Sequence, residues 1–255
     1  MAKRRPAGGF HETKYTEDRH FEYLHALEDY FSSTPGTNLE KLENFAKHVP
    51  RTAILRMLVK YELFKQIVEV QGSVVECGVL HGGGLMTWAN LSAILEPANH
   101  QRKVIGFDTF AGFPSIAAED RASVSDFIGE GQLAVDSYDN LREGIRIFDI
   151  SRYLGHIGKV ELVKGDIMQT IPEYLERNQH LVVSLLYLDV DLFEPTRVAL
   201  KNLVPRMPKG AVLAFDELNM ATWPGETQAV LSELGLRNLA VRRSAMGTAI
   251  SYAVL

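Results

Sequence analysis

Two apolar runs of the sequence end in paired acids: Leu186-Tyr187-Leu188-Asp189-Val190-Asp191 and, further on, Ala214-Phe215-Asp216-Glu217. Each run reads as a buried strand, and in parallel α/β sheets ligands gather at the carboxyl ends of strands. Carboxylate oxygens suit a hard divalent cation, so two acidic strand ends point to metal-assisted chemistry. The competing reading makes Asp189 and Asp216 helix caps and leaves Asp191 and Glu217 facing solvent.

A second constellation lies upstream. Val74-Val75-Glu76-Cys77-Gly78-Val79-Leu80-His81-Gly82-Gly83-Gly84 reads as a strand, a glycine loop and a helix start. Glycines let backbone approach a ligand closely, and a helix start offers free N–H groups. The G-x-G-x-x-G dinucleotide fingerprint is absent, because Leu80 stands two residues after Gly78, and no G-K-[ST] makes a P-loop. An NAD-dependent oxidoreductase therefore ranks last, and a nucleoside ligand without demanding phosphates fits better. The next strand, Val104-Ile105-Gly106-Phe107-Asp108, ends in a carboxylate placed to accept from the two hydroxyls of a ribose. Asp166, in Lys164-Gly165-Asp166-Ile167, has two readings. It bonds an adenine amino group while Ile167 covers the ring, or it caps a helix. His81 offers a second proton acceptor beside Asp191, since histidine titrates near neutral pH.

The elements that must position these groups follow from periodicity. Helical spacing runs from Arg19 to Phe31 and, after Pro50, from Ile54 to Val68. Beyond Gly72, short apolar runs alternate with helical stretches, which predicts βα units and a mainly parallel sheet. Strands are expected at 73–77, 103–108, 160–164, 182–189, 211–216, 238–242 and 248–254, and helices at 83–95, 137–148, 171–178, 195–204 and 225–234. Thr170 with Glu173 fits a capping box, and Pro195 fits a first helical turn. The short connector Arg243 to Gly247 predicts a final hairpin, with the last strand antiparallel. Residues 109–136 carry glycines and acids without periodicity and read as a lid. Residues 1 to about 18 read as a mobile arm able to fold over a site or a neighbouring subunit.

The 255 residues, 46% of them hydrophobic, allow one α/β domain. Residues 1–70 form an arm and helical cap belonging to the same domain, and 71–255 form its core. A net charge of -5 with scattered Lys and Arg gives no electrostatic footprint for nucleic acid. No apolar run reaches the ~20 residues needed to span a bilayer, and Met1 to Pro6 is basic without an apolar signal core, so a cytoplasmic protein is expected. The one cysteine, Cys77, is expected to be a small buried hydrophobe.

The stretch from Val74 to Gly235 resembles class I S-adenosylmethionine-dependent methyltransferases, and among them the macrocin O-methyltransferase type that methylates antibiotic sugars. The resemblance is carried by Val75-Glu76-Cys77-Gly78-Val79 with Gly82-Gly83, and by Phe107-Asp108-Thr109-Phe110-Ala111-Gly112-Phe113-Pro114. It continues through Gly165-Asp166, Asp189-Val190-Asp191-Leu192-Phe193-Glu194-Pro195-Thr196, Phe215-Asp216-Glu217 and Pro224-Gly225. It implies a Rossmann-like seven-stranded sheet in the order 3-2-1-4-5-7-6 with only strand 7 antiparallel, in agreement with the seven strands read above.

It also implies that Glu76, Gly78, Val79, Gly82, Gly83, Asp108, Thr109, Phe110, Gly165, Asp166, Ile167 and Asp189 surround S-adenosylmethionine. Asp189, Asp216 and Glu217 match the family's divalent-metal ligands, Mg²⁺ foremost, and Asp191 matches its general base. Two positions depart from the family: Glu217 stands where a second Asp is usual, and His81 where an arginine is common. The implied function is O-methylation of a sugar hydroxyl on a small natural product or sugar nucleotide, by a homo-oligomer. The alternatives are metal-independent methylation of a phenol, with His81 or Asp191 as base, and noncatalytic binding of S-adenosylmethionine. Trp223, after the second acidic pair, either stacks on the acceptor or is a packed aromatic.

Overall fold

The computed structural model describes residues 10–12 and 14–255. The basic start, Met1 to Pro6, and half of the expected arm lie outside the described residues. Three helices precede the sheet: α1 (Asp18–Ser33), α2 (Asn38–Glu43) and α3 (Arg51–Ile67). Alternation then runs β1 (Ser73–Cys77), α4 (Gly83–Leu95), β2 (Val104–Asp108), α5 (Tyr138–Ser151), β3 (Val160–Lys164) and α6 (Ile167–Arg177). It ends with β4 (Val183–Leu188), α7 (Phe193–Leu203), β5 (Val212–Phe215), α8 (Pro224–Glu233), β6 (Arg242–Arg243) and β7 (Ser251–Val254).

The sheet order is β3-β2-β1-β4-β5-β7-β6. β1 to β5 pair in parallel, and β7 runs antiparallel to both β5 and β6. The expected seven-stranded architecture is therefore present. β1, β4 and β5 are buried along their whole length, as central parallel strands covered on both faces must be.

The period of two sorts their side chains between two cores. Val75, Cys77, Leu186, Leu188 and Phe215 join a cluster that includes residues of α6, α7 and α8. Val74, Leu185, Tyr187 and Ala214 join the other, with Leu63 and Phe64 of α3 and Trp88 of α4. Continuing that alternation places Glu76, Asp189 and Asp216 on the α3/α4 side. Cys77 is buried and free, as expected, and burial pushes its thiol far above the ordinary range.

Several boundaries differ from the expectations. α6 starts at Ile167, capped by Asp166, so Thr170 and Glu173 lie inside it and form no capping box. Pro172 lies inside the helix. α7 begins at Phe193, with Pro195 in its first turn. The strand expected at 238–242 shrinks to Arg242–Arg243, because Leu236–Asn238 forms a 3-10 turn. α2, held by a Thr37/Glu40 capping box, had not been expected.

Candidate active site

One cavity of about 710 Å³ opens at the carboxyl ends of β1, β2, β4 and β5. The loop from β1 to α4 forms its floor. Gly78 has φ +90°, and a Cβ there would lie 1.7 Å from the Asp189 carbonyl oxygen. Only glycine lets these neighbouring strand ends approach so closely. Gly84 abuts Glu76, whose Oε1 a Cβ would meet at 2.3 Å.

Asp108 ties this loop to β2. Its Oδ2 accepts from the N–H groups of Val79 at 2.6 Å and Leu80 at 2.9 Å, and its Oδ1 from Phe110 at 2.6 Å. An ionised carboxylate has about four acceptor positions, so roughly one remains for a ligand. Glu76, Gly78, Val79, Gly83, Asp108 and Thr109 line the cavity, as do His81, Asp166 and Ile167. Gly82, Phe110 and Gly165 stand behind the wall. Phe110 is packed on Tyr138, and the Gly165 N–H donates to the Asp108 carbonyl. Asp166 caps α6, its Oδ1 accepting from the Met168 N–H at 2.9 Å, and the residue also lines the cavity.

The acid pairs converge. β4 and β5 are neighbours in register, Leu188 opposite Phe215, so the next residues, Asp189 and Asp216, emerge side by side. Carboxylate oxygens of Asp189, Asp216 and Glu217 lie within 4.8 Å of one another. Helix capping does not account for them, since neither α7 nor α8 takes a side-chain cap bond. Asp191 lines the same cavity with φ +62°, a left-handed conformation that aspartate tolerates better than most residues and that recurs at functional sites. Glu217 is buried, and its Oε2 has no hydrogen-bond partner among the described residues. Burial pushes the Asp189 and Glu217 carboxyls well above the usual range, and repulsion from Asp216 adds to both. The Asp191 carboxyl is pushed up to about 7 by burial, with Asp216 contributing. An orphaned buried carboxylate oxygen among converging acids fits a cation site.

Two basic residues that sequence reasoning missed complete the site. Arg56 Nη2 donates to Asp216 Oδ1 at 2.8 Å and to Asp189 Oδ2 at 3.2 Å. Burial opposes its charge, but Asp216 and Asp189 outweigh it and hold the guanidinium more firmly protonated than usual. Tyr187 donates to the same Asp216 oxygen. One turn on, Lys60 is buried beside Glu76. The available signal was their i, i+4 spacing in register with the apolar face Leu63, Phe64 and Ile67, where a solvated helix would carry no charge.

The 109–136 segment covers the cavity through Phe113 and Phe127. Buried Asp120 pins it, accepting from the Phe193 N–H at 2.9 Å and the Ala117 N–H at 3.2 Å. Residues 10–12 lie across it. Phe10 packs edge-on to Phe127 at 5.4 Å, and Glu12 accepts from Ser125 and from the Asp126 N–H. Trp223 is buried, edge-on to Phe113, and reaches the cavity wall.

No curated protein sequence matches the chain. Among solved structures, CalS11, described as a calicheamicin methyltransferase, superposes with a TM-score of 0.90 at 31% identity, over 97% of this chain and 98% of that one. The apo form of CalS11, described as a TDP-rhamnose 3'-O-methyltransferase of calicheamicin biosynthesis, gives 0.82 at 31% identity, over 94% and 96%. The O-methyltransferase NovP shares the fold, with a TM-score of 0.64 at 24% identity over 79% of each chain. Residues 51–232, well over half of the chain, match the macrocin-O-methyltransferase (TylF) family. The chain therefore belongs to the macrocin O-methyltransferase family and is an S-adenosylmethionine-dependent O-methyltransferase.

Proposed function

We propose that the protein methylates a sugar hydroxyl of a small natural product or nucleotide-linked sugar, with a divalent cation, Mg²⁺ foremost, held by Asp189, Asp216 and Glu217. The observation that carries this reading is the convergence of those carboxylates beside the glycine cradle. The sugar class is supported by the description of CalS11 as a TDP-rhamnose 3'-O-methyltransferase. S-adenosylmethionine, when bound, supplies an electrophilic methyl on a sulfonium. The cation, when bound, supplies positive charge that stabilises an ionised hydroxyl.

The protein's own residues do the rest. Asp108 and Asp166 orient the nucleoside, and Glu76 faces the amino-acid end. Asp191 takes the acceptor proton, and its raised carboxyl suits a base working near neutral pH. Phe113, Phe127 and Trp223 give the acceptor an apolar, water-poor wall. Alignment of acceptor oxygen and methyl then supplies much of the rate. The described N-terminal residues and helices α1 to α3 act as a cap of the same domain, where acceptor choice and contacts in a homo-oligomer are decided.

Methyl transfer to a panel of glycosides and sugar nucleotides tests this, with EDTA and Asp189→Ala as controls. Activity that is lost with either and restored by Mg²⁺ in the wild type is expected; activity indifferent to both would sink the metal role. A metal-independent reading has one observation in its favour: Arg56 already supplies positive charge to Asp189 and Asp216. Titrating metal against rate separates the two.

A further inference from the structure

Lys60 is a buried charge outside the acid cluster, paired with a buried carboxylate. Its side chain is 4% exposed, against 2% for Glu76. Nζ stands 3.5 Å from Glu76 Oε2, 3.3 Å from the Tyr187 ring centroid and 4.5 Å from that of Trp88. Trp88 Nε1 donates to the same Oε2. A buried ammonium carries a large desolvation cost, and a helix that only needed to fill this space would use leucine or methionine. Lys60 instead stands in an aromatic box, where ring faces favour a cation, with one carboxylate to address.

Both donors fall on Oε2. Oε1 is the oxygen nearer Gly84 at the start of α4, where a Cβ would meet it at 2.3 Å against 2.9 Å for Oε2, and Glu76 is part of the cavity wall. We propose that Lys60 is a positioning residue for cofactor recognition: it holds Glu76 ionised and fixed through Oε2, so that Oε1 accepts from the α-ammonium group of S-adenosylmethionine. This rests on reading the cavity as the cofactor site. Burial pushes the Glu76 carboxyl upward, and Lys60 is the largest influence opposing it, in agreement with the geometry. A neutral Glu76 would lose its charge-assisted bond and present a donor to an ammonium.

The test compares two ligands by calorimetry. S-adenosylhomocysteine carries the ammonium, and methylthioadenosine shares its nucleoside but lacks the amino-acid end. Wild type binding neither ligand means that the cofactor reading has failed, and this inference with it. Given wild-type binding of both, K60M should weaken S-adenosylhomocysteine roughly tenfold or more, as expected for a charge-assisted bond, and change methylthioadenosine less than about threefold. E76Q should show the same split, and K60M/E76Q should be no weaker than E76Q, because both act through one charge. Equal weakening of the two ligands, or no change for S-adenosylhomocysteine, overturns the proposal. K60Q, which keeps a donor without the charge, is measured in parallel in case K60M is unstable. Two lysine variants that fail to melt cooperatively even with S-adenosylhomocysteine would make Lys60 a folding residue and end the proposal.

Discussion

Arg56 donates to Asp216 at 2.8 Å, and the same Nη2 reaches Asp189 at 3.2 Å. Helix α3 thus brings a positive charge to two of the three residues assigned to a cation. Two buried acids and a part-buried third, close together, repel one another, and a guanidinium among them reduces that cost without satisfying Glu217, whose Oε2 has no partner among the described residues. Arginine and cation would then share one acid cluster, the arginine swinging outward on its half-exposed side chain.

Replacing Arg56 should expose that division. R56M without metal is expected to be less stable by about 1–2 kcal/mol, a figure reduced for the arginine's exposure. For a chain of this size that is roughly 2–8 °C in melting temperature. Mg²⁺ or Mn²⁺ should restore more stability to R56M than it adds to wild type, because the ion replaces a missing charge. Thermal melts with and without metal check this; equal metal shifts in both proteins would show that Arg56 and the ion do not share the cluster.

Glu217 is one of the two positions where the sequence reading departs from the family pattern, and its geometry says what the longer side chain does. The backbone N–H donates to Glu226 Oε1 at 3.1 Å, fixing the start of the side chain, while its carboxylate ends among the acids. E217Q should weaken metal binding by at least roughly tenfold, on the scale of losing a group that tunes a metal site. E217D should retain metal-dependent methyl transfer at a reduced rate. Metal titrations followed by activity separate them, and an E217Q protein with wild-type metal response would remove Glu217 from the ligand set.

The parts of this site legible in the sequence are those set by local rules. Continuous apolar runs marked β1, β4 and β5, and the acids followed because strand ends are where such a fold exposes side chains. Asp108 and Gly78 were legible for the same reason. Arg56 and Lys60 were passed over: their spacing puts two charges on the apolar face of α3, but it does not say which strands, far away in sequence, supply their partners. The α6 start was misread because Thr170 and Glu173 satisfied a local cap pattern, whereas Asp166, four residues earlier, made the actual cap bond. β6 was overextended because exposed edge residues carry little periodic signal.

The pH profile should report Asp191. Its carboxyl, pushed up to about 7, must be ionised to take a proton, so kcat/KM should rise with pH through that region and fall below it. Added cation favours the ionised form, so saturating metal should move this limb to lower pH than limiting metal does. Because the cation competes with protons for Asp189 and Glu217, metal affinity should also fall as pH drops. D191N should lower the rate by roughly 100-fold or more and flatten the limb, whereas H81A should preserve it. A limb that survives in D191N and disappears in H81A would transfer the base to His81, which also lines the cavity.

Gly83 and Gly84 make a paired test of how tightly the cofactor end is packed. A Cβ on Gly83 meets nothing within 4 Å, while one on Gly84 would meet Glu76 at 2.3 Å and 2.9 Å. Both residues begin α4, and alanine is the better helix former by about 1 kcal/mol, so G83A should melt at or slightly above the wild-type temperature. G84A gains the same propensity but must push the Glu76 carboxylate away from Lys60 and Trp88. Overpacking typically costs about 1–3 kcal/mol, and the displaced charge adds to it, so G84A should melt below wild type. Thermal melts of the ligand-free variants check the contrast, since propensity alone would raise both. A G84A protein as stable as G83A would mean that Glu76 moves freely and that its buried pairing with Lys60 is weak.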